Sequence, residues 1–311
     1  MLTYVDSVVL PAFLDESLRR PGRKGASYFF HNTAVGEFTH AGQPRVAVYG
    51  RLVYTTVLRR TQIYDTEAGL IQDNEEIDSA PSAFFVLILD NHKLIYANET
   101  PYAPPLEQFA RTTQLFLNRK HSEFLQAQQR AEGDGAVPVA PRLPQVLYEA
   151  PSVEIVPLSS TASINDFLLQ YEVLKQVQFD VLQTNQEIQA EQLWRGLEER
   201  RSRIHAAKTT VTHKNTTGLD KEEAATQIAE AAATGNQHVR LSGKDHDGNT
   251  LKGDNENLRL SVNLPNPPEH PAARAETLIN KYDQLTDKGI LRTDGSTAVP
   301  LVTRLREFLK S

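Results

Sequence analysis

Ala83-Phe84-Phe85-Val86-Leu87-Ile88-Leu89 is followed by Asp90-Asn91-His92 and then by Lys93-Leu94-Ile95-Tyr96-Ala97. Two apolar runs separated by three polar residues are close enough to pair through a tight turn, which makes this the clearest hairpin in the chain. The apolar run at 83–89 is also far short of the ~18 residues that a membrane-spanning helix needs. Upstream, residues 45–64 hold Val46, Val48, Tyr49, Leu52, Val53, Tyr54, Val57, Leu58 and Ile63. That β-branched and aromatic density predicts one long, bent strand, with Gly50 as its bulge. Downstream, Pro104-Pro105 opens a helical pattern in which Leu106, Phe109, Thr113, Phe116, Leu117 and Phe124 recur at helical spacing, predicting a helix over 106–129. Residues 1–130 therefore read as a strand-rich domain closed by a helix.

From 131 to 145 the chain becomes rich in glycine and proline, a composition suited to a surface linker. The remainder, 146–311, changes rhythm to alternating strands and helices. Strands are expected over 152–157, 176–182 and 209–213, and a hairpin from 237–242 with 258–264. Helices are expected over 163–174, from a capping box at Thr184 and Glu187 through Ile204, and over 220–233, 271–286 and 297–309. The fold class is α+β: a strand-rich N-terminal half and a C-terminal half of alternating strands and helices.

The 311 residues carry a formal net charge of -6, with 40% hydrophobic and 23% charged residues and no cysteine. This is the composition of a folded chain, and it excludes a disulfide scaffold, a thiolate metal site and a cysteine nucleophile. The mild acidity argues against a uniformly cationic surface, although local basic patches remain open. The start, with Asp6 and Asp15 around a short apolar run, lacks the basic-then-apolar order of a leader, so a cytoplasmic, bacterial protein without membrane association is expected.

Arg195, Arg200, Arg201, Arg203, Lys208 and Lys214 face only Glu198 and Glu199 within residues 195–214. Such a segment suits nucleic-acid phosphates, because guanidinium is a planar multidentate donor whose charge persists at cellular pH. The plainer alternative is a hydrated helix end whose cations complement the macrodipole. Arg200, Arg201, Arg203 and Lys208 are the candidate nucleic-acid-binding residues. Arg200 and His205 also have the Arg-x4-His spacing that resembles the metal-independent RNA-cleavage motif of HEPN-type ribonucleases, without the polar residue usual after the arginine. The resemblance implies RNA cleavage at this pair. Against it, a five-residue helical offset turns by about 140°, Arg201 and His205 would share a face with Glu198, and a strand-rich setting is unlike the all-helical HEPN bundle.

Arg19-Arg20-Pro21-Gly22-Arg23-Lys24-Gly25 reads as an exposed charged loop or a phosphate contact, and Tyr28-Phe29-Phe30 as a strand feeding the core. Residues 65–78 hold six carboxylates and no cation, predicting a mobile acidic loop. Asp245-His246-Asp247-Gly248-Asn249 places glycine fourth, not sixth as an EF-hand requires, so a polar turn at Asp247-Gly248 is the better reading. His31, His40, His121, His213, His238 and His270 are scattered. Neither a hydrolase elbow, a Walker loop, a dinucleotide fingerprint nor a zinc-peptidase pair occurs in the chain. No metal or cofactor is expected, and catalysis has no named residues. The functional expectation is a nucleic-acid-associated subunit of a bacterial complex, with RNA or DNA and other protein subunits or further copies as partners, in a setting such as antiviral defence. The competing class is a protein-interaction scaffold.

Overall fold

The computed structural model describes residues 4–40, 43–132, 151–181, 192–206, 208–234 and 237–291. The chain forms two compact units, residues 1–154 with 268–278 and 299–311, and residues 155–267 with 279–298. The architecture is α+β, strand-rich in the N-terminal half and with strands and helices alternating after it. Residues 133–145 of the expected 131–145 linker, the Thr184 and Glu187 capping pair and the helix expected at 297–309 lie outside the described residues.

In the first unit a short helix α1 (Leu10–Leu14) precedes strands β1 (Arg20–Pro21), β2 (Ser27–His40), β3 (Gln43–Asp65), β4 (Gly69–Ser79), β5 (Ser82–Ile88) and β6 (Lys93–Asn98), and then helix α2 (Leu106–Glu132). The sheet order is β1-β2-β3-β5-β6, with β4 attached to β3. The hairpin expected from residues 83–97 is β5–β6, and its register sets Phe85 opposite Tyr96. β5 is central and buried along its length, which is why its sequence is apolar without alternation. On one face Phe85 meets Phe13, Phe30 and Phe109 at ring separations of 5.1–5.8 Å, and Phe30 also meets Phe116 at 5.7 Å. Emptying such a site costs about 3–5 kcal/mol for a phenylalanine cut to alanine. On the other face Phe84 lies beneath two guanidiniums, Arg51 and Arg274, both of which bind Glu99. Arg274 belongs to the first turns of α7 (Pro271–Asp287), so residues 268–278 return to this unit, a closure that local periodicity does not encode.

Gly50 has a role different from the expected one. The irregularity lies on β2, where Asn32 and Thr33 together stand opposite Gly50 and Asn32 takes φ 49°. A Cβ on Gly50 would sit 2.8 Å from the Thr33 Cα, so glycine makes room for a bulge on the neighbouring strand.

The acidic stretch is not a loop. β4 pairs along residues 56–65 of β3 as a two-stranded ribbon joined by a turn at 66–68. Its carboxylates find cations on the strand opposite: Arg59 meets Glu76 at 2.9 Å, and Arg60 meets Asp73 at 2.5 Å and also Glu75. Inspecting the segment alone hides this, because the compensating arginines lie about 15 residues upstream.

The second unit holds α3 (Thr161–Leu168), β7 (Tyr171–Val181), α4 (Gln192–Arg203), β8 (Thr209–Lys214), α5 (Lys221–Thr234), β9 (Gln237–Asp245), β10 (Thr250–Asp254) and the single-turn α6 (Asn255–Leu258). The four strands are antiparallel in the order β10-β9-β7-β8. Three expectations are corrected here. Residues 152–157 form no strand. α3 starts earlier than expected, because Ser160 and not Ser163 caps it, accepting from the Ser163 amide at 3.0 Å. It also stops at Leu168, and β7 begins at Tyr171. The partner of β9 is β10, not 258–264, because Asp245 folds the tip: its Oδ1 accepts from the amides of Asp247 and Asn249 at 3.0 and 2.8 Å, and Gly248 takes φ 79°. The polar turn at Asp247-Gly248 therefore closes this hairpin. No helix among the described residues is long and apolar enough to cross a membrane.

Candidate nucleic-acid interface

Period-two alternation divides the second unit's sheet into two unlike faces. Val177, Phe179 and Val181 of β7, Val239 and Leu241 of β9 and the partly buried Val211 and Leu251 turn to one side. There they pack with Ile164 and Phe167 of α3 and Ala225, Ile228 and Ala229 of α5 into a single core. Gly253 belongs to the same side, and a Cβ there would meet the Phe167 ring at 2.2 Å, so its absence lets α3 approach.

The other face is polar apart from the half-buried Val173, which pairs with Lys244. Gln176, Gln178 and Asp180 of β7 pair across to Lys214, Thr212 and Thr210 of β8 and to Ser242, Arg240 and His238 of β9. Beyond β9, the residues opposite Arg240, Ser242 and Lys244 are Asp254, Lys252 and Thr250. Together with Lys208, which leads into β8, this face carries five cations against the carboxylates of Asp180 and Asp254. A shallow groove crosses it, lined among others by Gln176, Gln178, Arg240, Ser242, Lys252 and Asn257.

Asp180 organises the middle of the face. Its side chain is 1% exposed, yet it accepts from Lys208 Nζ at 2.8 Å, Thr210 Oγ1 at 2.9 Å and Gln178 Nε2 at 3.0 Å and pairs ionically with Arg240 Nη2 at 3.0 Å. Burial pushes this carboxyl up, but the hydrogen bonds from Lys208, Gln178 and Thr210 and the charge of Arg240 outweigh it, holding it below the usual carboxylate range. One buried anion thus fixes two cationic side chains that are themselves about half exposed, at 53% and 55%. The two cations outnumber the anion, so the cluster keeps a net positive charge toward solvent. Asp254 is committed differently: it caps α6 by accepting from the Glu256 amide at 2.9 Å.

The four residues singled out from sequence do not form one surface. Lys208 is on the open sheet face, bound to Asp180. Arg200 and Arg203 are exposed at the C-terminal end of α4. Arg201 is buried, 5% exposed, with Nη1 donating to the Ala206 carbonyl at 3.3 Å, so it tethers the turn that ends α4 and is not a surface cation. His205 follows the helix with φ 52°, so the unbroken helical face assumed for Arg201 and His205 does not exist. That reading includes Lys214 in its basic segment but not among the four, and it passes over Arg240, Lys244 and Lys252. A signal for them is present in Gln176-Val177-Gln178-Phe179-Asp180-Val181 and in His238-Val239-Arg240-Leu241-Ser242, where polar and apolar residues alternate strictly. Their convergence depends on the strand order, which no local pattern carries.

Two of the four cations of the N-terminal basic cluster are occupied within the fold. Arg19 stacks on Phe29 at 3.9 Å, while Arg20 stacks on Tyr28 at 4.0 Å and donates to Thr112 and Gln108. Among the described residues no three histidine or acidic side chains come together to hold a metal ion.

Residues 143–282 match the model of a family described as a domain of unknown function, DUF4747. This span is less than half of the chain and contains all four strands of the second unit's sheet. No curated protein and no solved structure matches the chain.

Proposed function

We propose that this protein is a nucleic-acid-associated subunit that binds the phosphate backbone on the open face of its second sheet. One observation carries the reading: an antiparallel sheet packed by helices on one side presents Lys208, Lys214, Arg240, Lys244 and Lys252 on the other, spaced among hydroxyl and amide donors. Lysine and arginine neutralise phosphates and release their counterions, and threonine, serine and glutamine side chains add neutral hydrogen bonds to phosphate and sugar. Val177, Phe179, Val239 and Leu241 serve the core instead, and among the paired residues of the open face the only ring is the His238 imidazole, with no phenylalanine, tyrosine or tryptophan beside it. Successive bases therefore have no run of rings to stack on, and binding through this face is expected to be nearly indifferent to sequence.

The same geometry assigns no reaction. The hydroxyl that Thr210 donates to Asp180 at 2.9 Å meets a carboxylate already committed to Lys208 and Arg240, and Arg200 stands on α4 while His205 lies past its end. The direct test is fluorescence anisotropy of labelled single-stranded and duplex RNA and DNA of mixed sequence with the full chain at low salt. Saturable binding that weakens with added salt is expected, and absence of binding to all four probes would refute the reading.

A further inference from the structure

Among the described residues, six of the twelve exposed large apolar side chains, Val57, Leu58, Tyr64, Leu70, Ile71 and Ile77, sit on the β3–β4 ribbon of the first unit. An isolated two-stranded hairpin is marginally stable at best in water, and apolar residues on its surface mark it for a partner. Its strands are also open at the side. Residues 56–65 of β3 pair with β4 alone among the described strands, because β2 and β5 stop pairing at Thr55 and Val53. We propose that two copies of this chain join along that β3 edge, antiparallel about a two-fold axis at Thr61, giving the four-stranded order β4-β3-β3-β4.

Register and charge select this arrangement. With Thr61 opposite its own mate, Leu58 of one copy faces Tyr64 of the other, Arg59 faces Ile63, and Arg60 faces Gln62. Within each ribbon Leu58 already pairs with Ile77 and Tyr64 with Leu70. The dimer therefore aligns Leu70, Tyr64, the second copy's Leu58 and its Ile77 in one continuous cross-strand row, and symmetry makes a second. All four are among the most open apolar side chains described, at 70%, 73%, 45% and 44% exposure, so this one contact accounts for them together. A shift that centres the axis on Arg60 would set the arginines face to face and Leu58 against Gln62.

Joining along β4 is opposed by charge. That strand carries Asp73, Glu75, Glu76 and Asp78, and placing it beside its copy would bring carboxylates to about 5 Å. In the β3-centred sheet the two β4 strands are three spacings apart, about 14 Å, which exceeds the Debye length of about 8 Å at physiological salt. Arg59 and Arg60 then lie on the inner strands, each already neutralised by acids of its own ribbon. The contact is an edge addition with main-chain hydrogen bonds, a small interface that forms at micromolar concentrations and tightens as salt is raised from low values toward the physiological range, where the outer carboxylates fall beyond the Debye length.

The test combines mass and cross-linking on the full chain. Light scattering across about 1 to about 200 micromolar protein should show the mass rising from 34.8 kDa toward twice that value, more so at higher salt. A Leu58→Lys/Tyr64→Lys variant should remain monomeric with an unchanged circular-dichroism spectrum, since both residues are exposed. Because the natural chain has no cysteine, a single Thr61→Cys substitution under mild oxidation reports the axis: directly opposed residues fall within disulfide reach. Glu76→Cys, on the outer strand, should not cross-link. A constant monomer, a dimer that survives Leu58→Lys/Tyr64→Lys, or cross-linking at position 76 without cross-linking at position 61 would each overturn the proposal.

Discussion

Asp180→Asn separates the two roles of the cluster on the open sheet, because stability and binding should move in opposite directions. The wild-type carboxylate is 1% exposed, accepts three hydrogen bonds, one of them from Lys208, and forms a second ion pair with Arg240. Removing one member of a buried ion pair costs about 3–5 kcal/mol when the remaining charge stays buried. Lys208 and Arg240 are about half exposed and rehydrate, which reduces the loss to about 2–3 kcal/mol. At 2–4 °C per kcal/mol for a unit of this size, calorimetry should show melting lowered by about 5–10 °C. Binding should strengthen, because the face gains one net positive charge, and the log–log salt slope should steepen by up to about 0.9 on duplex DNA. The lowered pKa adds a sign. Stability from Asp180 is present above the unfolded carboxyl value near 4 and is lost as pH falls through the folded value, so the difference between wild type and variant should shrink under acid. A variant that melts like the wild type, or that binds nucleic acid more weakly while remaining folded, would refute this account of Asp180.

Arg201→Gln should cost about 1–3 kcal/mol in urea unfolding through the lost Ala206 bond and packing, whereas Arg200→Gln and Arg203→Gln stay within about 0.5 kcal/mol; equal effects would contradict the burial of Arg201. Gly253→Ala should destabilise the second unit by about 1–3 kcal/mol, since its methyl group meets Phe167, and a neutral result would mean α3 shifts freely. Asp15, held down to about 2 chiefly by the Lys120 hydrogen bond and then by Ser17, contributes stability that is full above about pH 4 and is lost as pH falls toward 2. Lys120→Met should flatten that part of the acid titration, and an unchanged profile would remove the pair from the account.

The sequence was most informative where a pattern is completed within a short stretch. The β5–β6 hairpin, the long β3 strand, the α2 stripe of Phe109, Phe116 and Leu117, and the Asp247-Gly248 turn are all local. Most of the misreadings share a different cause: they turn on which neighbour a residue meets in the fold, which composition and spacing do not carry. Residues 65–78 looked like a loop because their counter-charges, Arg59 and Arg60, are on the opposing strand. Gly50 looked like a bulge because the extra residues are on β2. Arg201 looked like one more surface cation because composition cannot tell which member of an arginine run turns inward at the end of α4. Lys214, Arg240, Lys244 and Lys252 come from three strands whose spatial order, β10-β9-β7-β8, is not their chain order.

The central claim is that the open face of the second sheet contacts phosphates. It is tested most directly by the salt dependence of affinity for one single-stranded and one duplex probe, compared between wild type, Lys214→Gln/Lys244→Gln/Lys252→Gln and Arg200→Gln/Arg203→Gln. All five positions are at least partly exposed, so the fold should persist in both variants. Loss of three phosphate contacts should reduce the log–log slope by about 2 on the single strand and nearly 3 on the duplex, with affinity falling alike for every sequence. The arginine variant should keep the wild-type slope. A sheet variant with an unchanged slope, or an arginine variant that alone loses binding, would place the contact on the end of α4 and contradict the account.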